Sequence, residues 1–372
     1  MKKILITGAK GFIGKNLIAE LKNRQSGEIF EFDSENTIDE LENFTRTCDI
    51  VFHLAGINRP KNVEEFSKGN FDFTNTLLSS LRKHNNSSPI IFSSSVQAKL
   101  DNPYGKSKLA AENTLITYSL ETGIPVSIYR LFNVFGKWCR PSYNSVVATF
   151  CHNIARNLPI QINDPESRMQ QVYIMDVVDS FIRKAEQISR RNDHEIIESF
   201  EPAYEIKVGE LASTLYSFKE TRNNLSIPDQ GDPLTRKLYA TYLSYLPENE
   251  FSYPLKMNID NRGSFTEFIR TTDRGQVSVN ITKPGIVKGN HWHHTKNEKF
   301  LVVSGNGIIR FRKPGNTEII EYNVNGETLV VVDIPTGYTH NIENVGTTDL
   351  ITIMWANEAF DHENPDTYFE KV

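Results

Sequence analysis

Residues 285–305, GIVKGNHWHHTKNEKFLVVSG, constrain what this chain can fold into more than any other stretch. His291 and His293 alternate, so on a strand both rings point to one face. Glu298 follows after the turn-like HTKN, and Phe300-Leu301-Val302-Val303 reads as the next strand. Two imidazoles and a carboxylate converging across such a hairpin form three quarters of a metal site. His340, just after the turn signal Pro335-Thr336-Gly337, offers the fourth donor, with His294 as an alternative for one of the others. Imidazole nitrogens with one carboxylate suit zinc or another first-row metal. Four of the chain's nine histidines fall between 291 and 340, a density that scattered surface histidines do not explain.

These residues carry a resemblance. The spacing G-x5-H-x-H-x4-E-x6-G, met by Gly285, His291, His293, Glu298 and Gly305, resembles the first cupin motif. Pro335, Gly337, His340 and Asn344 resemble the second. Leu329 stands where that motif has its leading glycine, and Gly326 is the nearest substitute, which a longer hairpin accommodates. The resemblance implies a double-stranded β-helix, or jelly-roll barrel. It leaves the reaction open, because one fold hosts many chemistries.

The chain, 372 residues long, exceeds one ordinary core, so two domains are expected. A net charge of −5 offers no basic footprint, which argues against nucleic-acid and anionic-membrane partners. Cys48, Cys139 and Cys151 are odd in number, widely spaced and form no CxxC, as expected of a protein kept reduced in the cytoplasm. No apolar run approaches membrane-spanning length, and glycines interrupt the apolar N-terminal stretch before it could serve as a signal peptide.

Residues 3–6 form a short β-branched run of the kind found in buried parallel strands. Gly8, Ala9, Lys10, Gly11, Phe12, Ile13 and Gly14 follow, and then a helical pattern of Leu17, Ile18 and Leu21. Strand, G-x2-G-x2-G and helix in that order make a nucleotide loop: glycine lets the backbone approach a pyrophosphate, which the helix N-terminus attracts. A second strand, 29–32, ends at Asp33. An acid there receives the ribose hydroxyls of NADH, whereas Lys10 can meet the extra phosphate of NADPH, so the choice between the two stays open. Residues 49–53 form a third strand running into Leu54-Ala55-Gly56, small enough to lie against a nucleotide; His53 reads as a packed strand-end residue. With a helical stretch and the strand 89–92 the order is βαβαβαβ, which predicts a doubly wound parallel sheet.

That fourth strand ends in Ser93-Ser94-Ser95, and Tyr104 and Lys108 then lie four apart on a helix, sharing one face. A phenol ordinarily ionises near pH ~10; a neighbouring ammonium and a cationic cofactor lower that, so Tyr104 can exchange a proton with a substrate oxygen. This half resembles the extended short-chain dehydrogenase/reductase family, of Rossmann type, over roughly residues 1–240. The resemblance implies a catalytic Ser95, Tyr104 and Lys108, with Ser94 as the alternative serine, and a nucleotide site at Gly8, Gly11 and Gly14. Relatives that dehydrate nucleotide sugars carry an acidic pair where Val96-Gln97 stands, which disfavours dehydration here. By the same likeness Asn133 faces a sugar nucleotide, and Arg140 and Arg168 are candidates for its diphosphate, together with Lys137.

Residues 208–219 read as an amphipathic helix, 221–235 as a loop, and the aromatic-rich 239–247 as the connector to the second domain, placing the domains at 1–243 and 247–372. Beyond it, short strands with glycine turns signal an antiparallel barrel or sandwich. There Asp260-Asn261-Arg262-Gly263-Ser264-Phe265-Thr266-Glu267 resembles the D-x-R-G-x-F-x-E hairpin of the deoxysugar 3,5-epimerase branch of cupins, which implies that Arg262 and Glu267 lie over a nucleotide-linked keto-sugar.

The expected fold is therefore α/β: a Rossmann-type reductase domain and then an all-β cupin. The whole chain resembles a family of bifunctional capsular-polysaccharide enzymes. That likeness implies C3 epimerisation of a UDP-4-keto-6-deoxy-2-acetamido-hexose in the cupin and C4 reduction with NADPH in the reductase. The product would be UDP-2-acetamido-2,6-dideoxy-L-talose, on the route to UDP-N-acetyl-L-fucosamine, and the protein a cytoplasmic homodimer holding Zn2+. Left open are a reductase whose cupin is structural or ligand-sensing, and whether the metal is catalytic.

Overall fold

The structure, a computed structural model, describes residues 2–58, 62, 64–188, 197–199, 201–271, 273–359, 361, 363 and 365–372. The N-terminal strands are β1 (Lys3–Thr7), β2 (Glu28–Phe32), β3 (Ile50–His53), β4 (Ile90–Ser95), β5 (Val126–Leu131), β6 (Asn133–Phe135), β7 (Arg168–Tyr173), β8 (Ile197–Ser199) and β9 (Tyr204–Lys207). Six of them form one parallel sheet in the order β2-β1-β3-β4-β5-β8. Side chains alternate across a strand. Ile4, Ile6, Ile50 and Phe52 accordingly pack in one core, and Leu5 and Val51 in another. Helices cover both faces, which is why these strands read as unbroken apolar runs. The strand order reverses between β1 and β3, so a crevice opens at their C-terminal ends, where open α/β sheets take their ligands.

The C-terminal strands are β10 (Asn258–Asp260), β11 (Gly263–Thr271), β12 (Gly275–Thr282), β13 (Val287–Trp292), β14 (Glu298–Ser304), β15 (Asn306–Arg312), β16 (Ile320–Asn325), β17 (Val331–Ile334), β18 (Thr339–Asn344), β19 (Leu350–Ala356) and β20 (Tyr368–Phe369). They form two antiparallel sheets, β10-β11-β12-β19-β14-β17 and β16-β15-β18-β13-β20. Phe300, Val302 and Ile334 of the first and Ile309, Phe311 and Ile342 of the second share one apolar core. This is the antiparallel β-domain that the motif spacing implies. Among the described residues no helix is long and apolar enough to cross a membrane.

Two features differ from the sequence reading. The end of the expected loop, 221–235, and the start of the expected connector, 239–247, lie in one helix, Pro233–Leu243. Proline is tolerated at a first helical position, where its missing N–H leaves no bond unmade, and burial of Leu238, Thr241 and Tyr242 anchors the helix. The compact units also do not divide at a single point. One is Met1–Tyr216 with Pro233–Pro247, the other Ser217–Asp232 with Glu248–Val372. Ser217–Asp232 joins the second unit because the Arg270 N–H donates to the Leu225 carbonyl at 2.7 Å and the Ile227 N–H to the Arg270 carbonyl at 3.3 Å.

Candidate functional site

The first unit builds its site around the loop after β1. Gly8 has φ +70°, a conformation that favours glycine, and its carbonyl accepts the Gly11 N–H at 3.0 Å. The helix Phe12–Asn23 begins at Gly11 with no side-chain cap, which leaves its first N–H groups open to an anion. A cavity of about 670 Å³ lies over this loop. Gly8, Lys10, Gly11, Phe12, Ile13, Gly14, Leu54, Gly56, Ser95, Tyr104, Lys108, Asn133, Arg140 and Arg168 all line it.

Two residues assigned to the cofactor do not line that cavity. Asp33 is engaged with backbone: its carboxylate accepts the N–H groups of Lys10 and Ser34, each at 2.8 Å. Ala55 turns its N–H onto the Thr7 hydroxyl at 3.2 Å. The Lys10 ammonium pairs with Glu35 at 2.5 Å. Arg168 lies on the cavity wall paired with Glu205, and the Arg140 guanidinium stacks 5.3 Å from the Tyr143 ring.

The helix Pro103–Thr122 carries Tyr104 and Lys108; Asn102 caps it by accepting the Gly105 N–H at 2.7 Å. The strand-end serines part company. Both line the cavity, but Ser94 donates to Glu112 at 2.5 Å, whereas Ser95 hydrogen-bonds Tyr104 and accepts the Gln97 N–H at 3.2 Å. Lys108 is fully buried, donates to the Ser93 carbonyl at 3.1 Å, and is pushed down to about 8, chiefly by burial. The expected acidic phenol is not what the folded chain alone produces. Burial raises the Tyr104 pKa, and the Ser95 hydrogen bond opposes that shift. His53 is a packed strand-end residue: its ring bridges the Thr7 and Thr74 hydroxyls at 2.8 and 2.9 Å.

The second unit gathers His291, His293, Glu298 and His340 so that one donor atom from each lies within 4.8 Å of the others. His291 and His293 do not sit on one regular strand. β13 bulges at Asn290, φ +61°, which brings His291 opposite His340, and His293 falls just past the strand end. The His293 Nδ1–H donates to the Asp366 carbonyl, so its Nε2 lone pair faces inward. That Nε2, Glu298 Oε2 and both His340 nitrogens are buried without a hydrogen-bond partner, although His293 and His340 stand 3.6 and 3.3 Å from Glu298. Orphaned buried donors of this kind, three imidazoles and a carboxylate, fit a first-row metal such as zinc. Burial and the neighbouring His340 and His293 push His291 down to about 4, leaving its ring neutral. Burial alone would raise the Glu298 carboxyl, but the facing imidazoles outweigh it and hold it well below the carboxylate range.

His291, Glu298 and His340 line a second cavity, of about 920 Å³, together with Arg262, Glu267, Arg270 and Lys288. Arg262 pairs with Asp260 at 2.6 Å, and Glu267 pairs with Arg270 through Oε2 while its buried Oε1 has no partner. Sequence reasoning passed over Lys288, Asp366 and the Glu112–Arg130 ion pair. Asp366 sits 73 residues beyond His293, and no local pattern announces it.

Comparison with known proteins accords with this geometry. Residues 4–198 match the family described as the NAD dependent epimerase/dehydratase family, and residues 258–368 the polysaccharide biosynthesis C-terminal domain. A Pseudomonas aeruginosa protein named UDP-2-acetamido-2,6-beta-L-arabino-hexul-4-ose reductase is 46% identical over 98% of both chains. The crystal structure of the capsular polysaccharide assembling protein CapF from Staphylococcus aureus superposes with a TM-score of 0.93 at 52% identity, covering 99% of this chain and 100% of that one. A Bacillus cereus UDP-glucuronic acid 4-epimerase structure, 20% identical with a TM-score of 0.55 over 65% of this chain and 98% of its own, shares the fold.

Proposed function

The chain belongs to the NAD-dependent epimerase/dehydratase family and ends in a polysaccharide biosynthesis C-terminal domain, and on that premise we propose that it is a bifunctional UDP-sugar enzyme of capsule or O-antigen precursor synthesis. The barrel inverts C3 of a UDP-4-keto-6-deoxy-2-acetamido-hexose. The reductase then reduces C4 to give UDP-2-acetamido-2,6-dideoxy-L-talose. The order follows from the chemistry: removing a proton beside a ketone needs the ketone, and reduction destroys it. The observation that carries the reading is the Ser95–Tyr104–Lys108 constellation on the wall of the glycine-loop cavity. Two relatives support it over nearly their full length, one named as a UDP-sugar 4-ulose reductase and one as a capsule-assembly protein.

In this reading the Ser95 hydroxyl holds the C4 carbonyl oxygen against the Tyr104 phenol, and Tyr104 delivers the proton as C4 is reduced. Lys108, protonated, favours the phenolate that remains and lies where a nucleotide ribose would rest. A reduced nicotinamide, when bound, supplies the hydride. NADPH is the preferred form, because Asp33 is occupied by backbone N–H groups while Lys10 lines the cavity. Asn133, Arg140 and Arg168, which line the same cavity, meet the sugar nucleotide. In the barrel His291, His293, Glu298 and His340 would hold zinc, which when bound supplies a Lewis acid for a carbonyl. Arg262 and Glu267 lie on the wall of the same cavity, placed to meet the keto-sugar. The reading includes a cytoplasmic homodimer.

The test uses the full-length protein with a UDP-4-keto-6-deoxy sugar. Without nicotinamide in deuterated water, the expected result is deuterium at C3; with NADPH, it is oxidation of the cofactor and a C4 alcohol. No exchange would leave a reductase with a non-catalytic barrel. A Tyr104→Phe variant that oxidises NADPH at the wild-type rate would overturn the reductase reading.

A further inference from the structure

Tyr104, Lys108 and Glu112 follow one another at intervals of four on the helix Pro103–Thr122, so they stand along one face. The reaction uses the first two. Glu112 is 0% exposed and lies at the crossing of three elements. Its Oε1 accepts from the Ser94 hydroxyl at 2.5 Å and from Arg130 Nε at 3.0 Å, and its Oε2 accepts from Arg130 Nη2 at 2.5 Å. Ser94 on β4 and Arg130 on β5 are themselves partners in the sheet register. One carboxylate thus ties the helix bearing the phenol to the end of the strand bearing Ser95.

Burying an ion pair is a poor route to stability, since well-packed apolar residues of the same volume often serve as well or better. Its position beside the reacting groups therefore calls for another account. We propose that Glu112 is a positioning residue for the ketone reduction: through Ser94 it fixes the strand end that presents Ser95 to Tyr104, and its charge keeps Lys108 protonated. This rests on the reductase reading above.

The surroundings of Lys108 support the second half. Its ammonium donates to the Ser93 carbonyl at 3.1 Å, lies 5.0 Å from the centre of the Phe92 ring, and is close enough to Gly56 that a Cβ there would stand 2.9 Å away. The titratable and charged groups around it are Tyr104 and Glu112 on its own helix, His53 from β3, and Arg130 from β5, which reaches Glu112. His53 is neutral, pushed down to about 3 by burial and by the Lys108 charge. Among these charged groups, Glu112 favours the charged lysine against burial. Neutralising it would remove that support and leave the Arg130 charge unbalanced nearby. Lys108 would then lose its proton at lower pH.

The experiment compares pH–rate profiles of full-length wild type, Glu112→Gln and Ser94→Ala, with NADPH and a UDP-4-keto-6-deoxy sugar. For Glu112→Gln the alkaline limb is expected to move down by about one pH unit. Its kcat at pH 7 should fall on the order of tenfold, with the NADPH dissociation constant unchanged. Ser94→Ala keeps the ion pair intact, so it decides the matter if Glu112→Gln does not fold. It should lower kcat by a similar factor without moving the alkaline limb. A folded Glu112→Gln whose profile overlays that of the wild type overturns the proposal, as does Ser94→Ala with wild-type kcat. Wild type that fails to oxidise NADPH defeats the reductase reading itself.

Discussion

Gly14 lies so close beneath Gly8 that a Cβ on it would stand 2.3 Å from the Gly8 carbonyl oxygen. The oxygen belongs to the turn whose backbone also receives the Gly11 N–H, so it cannot yield without opening the loop. Gly14→Ala is therefore expected to push the helix Phe12–Asn23 away from the loop, at a cost of about 1–3 kcal/mol of stability. NADPH binding, followed by fluorescence titration, should weaken at least tenfold. Unchanged affinity would mean that the loop does not hold the cofactor.

Lys108 makes the opposite trade. Its pKa is 10.5 when unfolded and about 8 when buried. Below pH 8 both states are protonated, and the native state bears the whole penalty of a buried ammonium. As pH rises from 8 toward 10.5 the native state releases its proton first and the penalty fades. Lys108→Met should thus be inactive yet more stable at pH 7, by on the order of 2–3 kcal/mol, with the gain shrinking by pH 10. Calorimetric melts at the two pH values check the sign; a variant less stable at pH 7 would contradict it.

His293, Glu298 and His340 bury donor atoms that have no hydrogen-bond partner, clustered with His291, so the barrel is expected to depend on the metal they bind. Elemental analysis of the purified protein should find one zinc per chain. Chelation should lower the melting temperature of the barrel and zinc should restore it; ligand at a thousand times its dissociation constant stabilises by about 4 kcal/mol. His340→Ala should not respond to zinc. A chelator without effect on the melt would remove zinc from the account.

Asp366 holds the other side of that centre. Its carboxylate accepts the N–H groups of His294, Thr295 and Lys296 at 2.9, 2.7 and 2.8 Å, and its carbonyl takes the His293 Nδ1–H. Asp366→Ala leaves the loop after His293 unsupported, so zinc affinity measured by chelator competition should fall about 10- to 100-fold. Wild-type affinity in that variant would show that the Asp366 carboxylate has no part in holding the ligand loop.

What could be read in advance was local. A strand, three glycines at a fixed spacing and a helix make their own loop, and Gly8, Gly11 and Gly14 announced it. Three of the clustered donors, His291, His293 and Glu298, fall within eight residues, and Pro335-Thr336-Gly337 marked the approach of His340. Contacts made across the fold stayed hidden. Glu112 and Arg130 look like any surface charges until Glu112 is seen buried between Ser94 and the half-buried Arg130. Tyr104 shows the limit most plainly: its spacing from Lys108 was legible, but the burial that raises its pKa was not. Residues 221–235 read as a loop for their proline, glycine and polar residues and 239–247 as a connector for their aromatics, yet packing made Pro233–Leu243 a helix.

The return of Pro233–Pro247 to the first unit, after Ser217–Asp232 has entered the second, has a practical meaning for anyone who would cut this gene in two. No single scissile bond yields both halves whole. A fragment beginning at 247 would arrive without the backbone that clasps Arg270, and one ending at 243 would keep that strip as a loose appendage. Separating the two chemistries therefore calls for point variants, or for a rearranged coding order that hands residues 217–232 to the barrel.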